Sequence, residues 1–275
     1  MLRTLRPRRL ATLVIAALAA LALLAAATGA AARRGAPAAA KPTVVLVHGA
    51  WADASGWDGV TRRLQRGGYT VRALANPLRG LVPDAAYVRD TLRAIRGPIV
   101  LVGHSYGGAV ITNAATGLDN VEALVYVDAF ALDEGESLYA VLSRFSDADI
   151  TRFVEGVPIA RPDGRADVDT YLTPEAFAQA FANDLPARTS AAMWAAQRPV
   201  VQSALLDRSG APAWRSVPSW YVLGSEDHII PPAAQRFMAQ RARARLTEVR
   251  ASHVSLVSKP GAVTRVVLQA ARAVR

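Results

Sequence analysis

The sequence predicts an α/β fold: a mostly parallel, doubly wound sheet of about six strands with an inserted helical cap. Three observations point there. From residue 43 onward, short runs of apolar and β-branched residues alternate with stretches of helical periodicity, the pattern of strands buried on both faces by the helices between them. One long interval, about 132–217, breaks that rhythm and carries no clear buried strand. A Gly-x-Ser-x-Gly sequence falls directly between a buried-strand pattern and a helix.

The first strand is T-V-V-L-V at 43–47, followed by a helix over about 56–66 that Gly67-Gly68 ends. Y-T-V-R-A-L (69–74) reads as the second strand. Residues 83–96 form a helix with Pro83 in its first turn and Val88, Leu92 and Ile95 on one face. Gly97-Pro98 stops it, and I-V-L-V (99–102) is the third strand, leading through Gly103–Gly108 into a helix that runs to about Thr116. V-E-A-L-V-Y-V (121–127) is the fourth. W-Y-V-L (220–223) and L-T-E-V (246–249) are the fifth and sixth, separated by a helix over about 232–243. A last helix over about 260–274 gathers Val263, Val266, Val267, Ala270 and Val274 on one side. The interval 132–217 holds helical pieces at 137–144, 174–181 and 189–197 and reads as a cap over whatever lies beyond the carboxyl ends of the strands.

Residues 1–32 stand apart. Arg3, Arg6, Arg8 and Arg9 precede an uncharged run rich in Ala, Leu, Val and Ile that ends in Ala30-Ala31-Ala32, the layout of a secretory signal. Its length also allows an uncleaved N-terminal anchor. Export to the cell envelope or the medium is the expectation, with membrane contact only through this segment. Residues 33–42 form a flexible leader, and 43–275 the α/β domain. Removal of the four arginines would lower the formal charge from +10 to +6. The remaining basic residues are interleaved with acidic ones and accompany no aromatic-plus-basic motif, so nucleic acid is not an expected partner. The chain has no cysteine, which excludes disulfides, iron–sulfur clusters, a cysteine nucleophile and a lipoprotein anchor.

Gly103-His104-Ser105-Tyr106-Gly107-Gly108 carries the chemistry. A turn this tight between strand and helix needs residues without bulk on either side of the serine, and it presents the hydroxyl at the helix N-terminus. A serine hydroxyl is a poor nucleophile unless a base takes its proton. Of the four histidines, His48 precedes the loop after the first strand, His104 flanks the serine, and His228 follows an acid. His253 lies late, beyond the sixth strand, and is the expected base. Asp227, after the fifth strand, gives the chain order Ser…Asp…His expected for such a turn. Glu226 beside it and Asp128 after the fourth strand are rival acids. Two backbone N–H groups are needed for an oxyanion. Tyr106 after the serine and Ala50 in the loop after the first strand are the candidates, with Trp51 beside Ala50 as pocket wall. Phe130, Phe181, Met193 and Trp194 are candidate cap or pocket residues, each equally readable as plain core.

V-L-V-H-G-A-W, G-H-S-Y-G-G-A-V-I and the late S-H-V together resemble the α/β-hydrolase superfamily, over about residues 42–274. More narrowly, they are similar to its compact branch of small esterases, plant methyl-ester esterases and hydroxynitrile lyases. The resemblance implies a triad of Ser105, Asp227 and His253, oxyanion donors at Ala50 and Tyr106, no cofactor or metal, and an apolar pocket under the cap. It implies hydrolysis of small, hydrophobic carboxylic esters, with a peracid-forming side activity or a receptor-like ligand-binding role as alternatives. The lyases of that branch carry a lysine directly after the histidine. Val254 stands there in this chain, and an apolar side chain offers nothing to a leaving anion.

Overall fold

The computed structural model describes residues 41–145, 153–161 and 163–274. The expected export segment, 1–32, and residues 33–40 of the expected leader lie outside them. Residues from Lys41 onward form one compact unit.

Six strands build the main sheet: β1 (Thr43–Val47), β2 (Val71–Leu74), β3 (Ile99–His104), β4 (Val121–Val127), β8 (Ser219–Gly224) and β9 (Arg245–Val249). Their order is β2-β1-β3-β4-β8-β9, and every neighbouring pair is parallel. Hydropathy explains the order. The four central strands are apolar runs with almost every residue buried, whereas β2 and β9 interleave charged and exposed residues such as Arg72, Arg245 and Glu248. Continuous apolar runs suit strands covered on both faces, and mixed ones suit edges.

The helices are α1 (Asp58–Arg66), α2 (Leu81–Arg93), α3 (Tyr106–Ala114), α4 (Leu138–Leu142), α5 (Pro174–Ala176), α6 (Ala187–Ala195), α7 (Pro232–Arg241), α8 (Ser255–Ser258) and α9 (Pro260–Ala273). In α1, Val60 and Leu64 are buried while Arg62, Arg63 and Arg66 point outward or sideways to solvent. In α9 the expected stripe of Val263, Val266, Val267 and Ala270 is buried and packs on α1 and across β4 and β8. Helix α2 pairs with α3.

The chain runs from β1 outward to β2 and then back across to β3, so the direction of winding reverses between β1 and β3. In open α/β sheets such a switch point opens a crevice beyond the carboxyl ends of the strands. The register brings those ends level: Val47 pairs with Gly103, His104 with Val127, Val127 with Val222 and Gly224 with Val249. Loops distant in sequence therefore start side by side.

The insertion between β4 and β8 contains helices at α4, α5 and α6, and also something the helical expectation lacked. Strands β5 (Val154–Ala160), β6 (Ala166–Leu172) and β7 (Val200–Val201) form a three-stranded antiparallel sheet in the order β5-β6-β7. These strands escape a search for apolar runs because β5 is largely exposed and carries Pro158, while β6 alternates polar and apolar residues. The available signal was Asp163-Gly164 between two extended stretches, a strong short-range mark of a hairpin. Helix α5 continues directly into a π-helical turn, Phe177–Phe181.

The contrast between centre and edge is measurable. Leu101 in β3 is fully buried and Leu246 in β9 is 38% exposed. Leu101→Ala is expected to cost about 2–5 kcal/mol of unfolding free energy. Leu246→Ala, at the open edge, is expected to cost ~1 kcal/mol or less. Urea titrations of both variants check the ranking.

Candidate active site

The serine turn is built by close backbone approach. Ser105 sits between β3 and α3 with φ 53° and ψ −125°, a region that side-chain-bearing residues seldom occupy. A Cβ on Gly103 would lie 2.5 Å from the Gly107 carbonyl oxygen, and one on Gly107 would lie 2.6 Å from that of Val47. Only glycine fits either position. The turn's own polar groups are paired: Ser105 N–H donates to Val127 O, and Ser105 O accepts from Gly108 and Phe130 N–H.

Three loops meet there. His253 Nε2 lies 2.8 Å from Ser105 Oγ, and His253 Nδ1 lies 2.8 Å from Asp227 Oδ2. With the Nδ1 proton donated to the carboxylate, Nε2 is left to accept from the serine hydroxyl. All three side chains are buried, Ser105 at 4% exposed and His253 at 0%. Asp227 is held by more than the imidazole. Its Oδ1 accepts from Ile229 and Ile230 N–H at 2.8 and 2.9 Å, and its Oδ2 accepts from Gln235 Nε2 at 2.7 Å. Three donors beside the imidazole compensate a carboxylate taken out of water.

The rival acids lie elsewhere. Glu226 faces solvent and pairs with Arg250 at 2.6 Å. Asp128 is fully buried but makes no hydrogen bond to His253; it accepts Gly224 N–H at 2.8 Å and Ser255 N–H at 3.0 Å. It thus ties the strand that leads to Asp227 to the turn that follows His253. Burial, and then the charge of Asp227, push its carboxyl up from the usual range.

The other histidines have support positions. His104 Nε2–H donates to the His253 carbonyl at 2.8 Å, and its ring packs 4.9 Å from that of His253. His48 Nδ1–H donates to Gly49 O, and its Nε2 accepts Asn76 N–H. His228 is exposed, against Gln179 O. Gln235 and His104 hold members of the cluster and Asp128 holds residues that flank two of them, and none of the three partnerships has a sequence signature.

Ser105, Ala50, Tyr106, Trp51 and Phe130 line a small apolar pocket together with Leu138, Leu142, Leu205 and Ile229. Tyr106 begins α3, where a first-turn N–H has no partner within the helix, and its hydroxyl donates to the buried Asp84 at 2.7 Å. Of the remaining pocket candidates, Phe181 packs 5.1 Å from the His253 ring instead of lining the cavity. Met193 lines a second pocket, which Trp51 also lines. Trp194 lines neither; its Nε1–H donates to Leu172 O at 3.0 Å. A larger, more open cleft around Trp214, Arg241 and Arg243 lies at the amino ends of β8 and β9, away from the edge where such sheets bind ligands. Among the described residues, no cluster of three or more His, Asp or Glu is placed to hold a metal ion.

Burial sets how the site responds to acid. Desolvation holds His104 well below the ordinary histidine value, and His48 below it too. Below about pH 6.5 the unfolded chain therefore binds more protons than the native state, and stability falls with pH, by up to about 1.4 kcal/mol per unit for each ring. Asp84 and Asp128, raised by burial, act oppositely: their contribution is full below the ordinary carboxylate value and is lost as pH rises through the folded one. His104→Gln keeps a donor for the His253 carbonyl without a titrating ring. It should flatten the loss of stability between about pH 7 and pH 5, read from urea midpoints; an unchanged slope would assign that loss to other groups.

Comparison with known proteins agrees with the fold. The alpha/beta hydrolase of Aspergillus novofumigatus designated nvfD is 26% identical over 256 residues, covering 84% of this chain and 97% of its own. A carbendazim hydrolyzing esterase of Nocardioides sp. is 32% identical over 133 residues, 43% of this chain and 55% of its own. The crystal structure of polyneuridine aldehyde esterase superposes with a TM-score of 0.73 at 20% identity, covering 84% of this chain and 99% of that one, a likeness of fold. The profile of the alpha/beta hydrolase family matches residues 44–266. With the sheet order, the glycine-flanked serine turn and this match over most of the described chain, the protein belongs to the alpha/beta hydrolase family.

Proposed function

We propose that the protein is a serine hydrolase that cleaves small, hydrophobic carboxylic esters through an acyl-enzyme intermediate. The observation that carries this reading is the unbroken hydrogen-bonded line from Ser105 Oγ through the His253 ring to Asp227, with both links at 2.8 Å. Esterases among the similar proteins support the choice of bond.

In the first half-reaction, Ser105 Oγ attacks the ester carbonyl carbon as its proton passes to His253 Nε2. Asp227 stabilises the imidazolium so formed. The carbonyl oxygen becomes an oxyanion, met by the backbone N–H groups of Ala50 and Tyr106. Collapse breaks the bond to the alcohol oxygen, which takes the proton from Nε2. In the second half, Nε2 removes a proton from water, the hydroxide attacks the acyl carbon, and Ser105 leaves with the proton returned from the ring. The nine cavity-lining residues have apolar side chains except for the Ser105 hydroxyl, the Tyr106 hydroxyl and the Trp51 indole N–H, and the last two are turned to Asp84 and Thr170 O. This favours hydrocarbon groups over charged ones. Val254 follows His253 and is buried, so no cation stands where a leaving anion would need one.

Ser105→Ala should lower kcat for a short chromogenic ester by roughly 10^4-fold or more and abolish labelling by a fluorophosphonate, while the fold, checked by circular dichroism, persists. Folded wild-type protein that neither labels nor turns over any ester would sink the reading in favour of a ligand-binding role.

A further inference from the structure

We propose that Trp51 is a size-selecting partition between two chambers, and that its bulk restricts the protein to esters whose inner group is short and apolar. The proposal rests on the ester-hydrolysis reading above and concerns which esters are accepted.

Two cavities lie against this one indole. The inner one contains Ser105. The outer one is bounded by Asp53, Ser55, Gly56, Met193 and Ala196. Trp51 is the residue common to both linings. The inner chamber is otherwise lined by Phe130, Tyr106 and aliphatic side chains. A longer chain entering it has one large side chain to displace before it reaches further space.

Trp51 is not free to yield. It is 3% exposed, and its backbone is held at φ 55°, a left-handed conformation unfavourable for a bulky L-residue. The indole Nε1–H donates to the Thr170 carbonyl of β6 at 3.0 Å. Thr170 is itself fixed, since its hydroxyl donates to Val200 O of β7 at 2.8 Å. Rotation of the indole would strand a buried donor and a buried acceptor, which is costly without replacement partners. The partition is therefore rigid, pinned from the cap side by the small sheet and from the core side by the loop after β1. A rigid apolar wall discriminates by length, and single methylene groups in such pockets are worth about 10–200-fold in kcat/KM.

The test compares kcat/KM across two series, p-nitrophenyl esters from acetate to octanoate and acetates of methyl to octyl alcohols. Wild type should favour the short members of at least one series. Trp51→Ala joins the chambers and should raise the octanoate-to-acetate ratio, or the octyl-to-methyl ratio, by at least about tenfold. Trp51→Phe, which removes the Nε1–H but keeps an aromatic wall, should move the ratio by less than about threefold. Ratios are read because Trp51 neighbours Ala50, so absolute rates in these variants will change. Adding Ala196→Trp to Trp51→Ala refills the outer chamber and should return the ratio toward wild type. If Trp51→Ala does not fold, Trp51→Leu carries the same expectation with a smaller shift. Unchanged ratios in both series, or an equal shift in Trp51→Phe, would overturn the partition while turnover and fluorophosphonate labelling of wild type leave ester hydrolysis standing. Absence of labelling and turnover in wild type would overturn both.

Discussion

Ser105 occupies a backbone conformation that it would not hold in isolation, and the rest of the site is arranged around keeping it there. The strain at φ 53° is sustained because the segment has no alternative. Gly103 and Gly107 are pressed against carbonyl groups on both sides, so neither flank can relax outward. The Ser105 peptide groups are occupied by Val127, Gly108 and Phe130, so any other conformation would leave buried donors and acceptors unpaired. A conformation enforced in this way points the hydroxyl in one direction. The imidazole then needs to be brought to that direction and no other.

Bringing it there means placing a carboxylate in a nearly water-free interior, and the chain does so through backbone geometry. Asp227 begins a turn whose next N–H groups, Ile229 and Ile230, fold back onto its own Oδ1. Gln235, early in α7, supplies a further donor to Oδ2. Two side chains from outside the triad reach the same region. Asp128 grips Gly224 and Ser255, one N–H on each of the two loops, and His104 supports the carbonyl of His253. These groups are themselves buried and titratable, so the geometry of the cluster carries a pH dependence of opposite signs from its histidines and its carboxyls.

The central sheet and the hydrogen-bonded cluster of Ser105, His253 and Asp227 were legible because both leave local marks. Four strands buried on both faces must be apolar throughout, and a strand-to-helix turn this tight must have glycine at Gly103 and Gly107. The order Ser105, Asp227, His253 follows from which strand precedes which loop. What escaped has no apolar run to mark it, and at the insertion hairpin only the Asp163-Gly164 pair signals the turn. The sheet in the insertion rests on an exposed hairpin, where alternation is masked by Pro158 and by polar residues on β6. Gln235 and His104 earn their places through partners 8 and 149 residues away, and glutamine in a helix reads as surface until the fold turns it inward. Two of the five pocket candidates, Trp51 and Phe130, line the cavity at Ser105. Trp51 and Phe130 follow strands whose ends were known, so their position near Ser105 could be argued. Met193 and Trp194 lie on a cap helix whose orientation depends on the overlooked sheet.

That sheet has a second consequence, because the insertion supports the site as well as covering it. Thr170 on β6 fixes the Trp51 indole next to Ala50. Past the π-helical turn, Asn183 donates to Glu226 O beside the acid, and Ser252 beside the base donates to Asp184. Phe181 within that turn lies on the imidazole ring itself. The cap thus touches all three loops that flank the serine turn, those carrying Ala50, Asp227 and His253. An insertion that only roofed the cavity could be remodelled freely to change what enters. Here a change in the cap also shifts the groups that hold the loop after β1 and the imidazole, so remodelling the cavity's cover also moves the cluster beneath it. At β6 a single carbonyl, that of Thr170, holds the Trp51 indole beside Ala50.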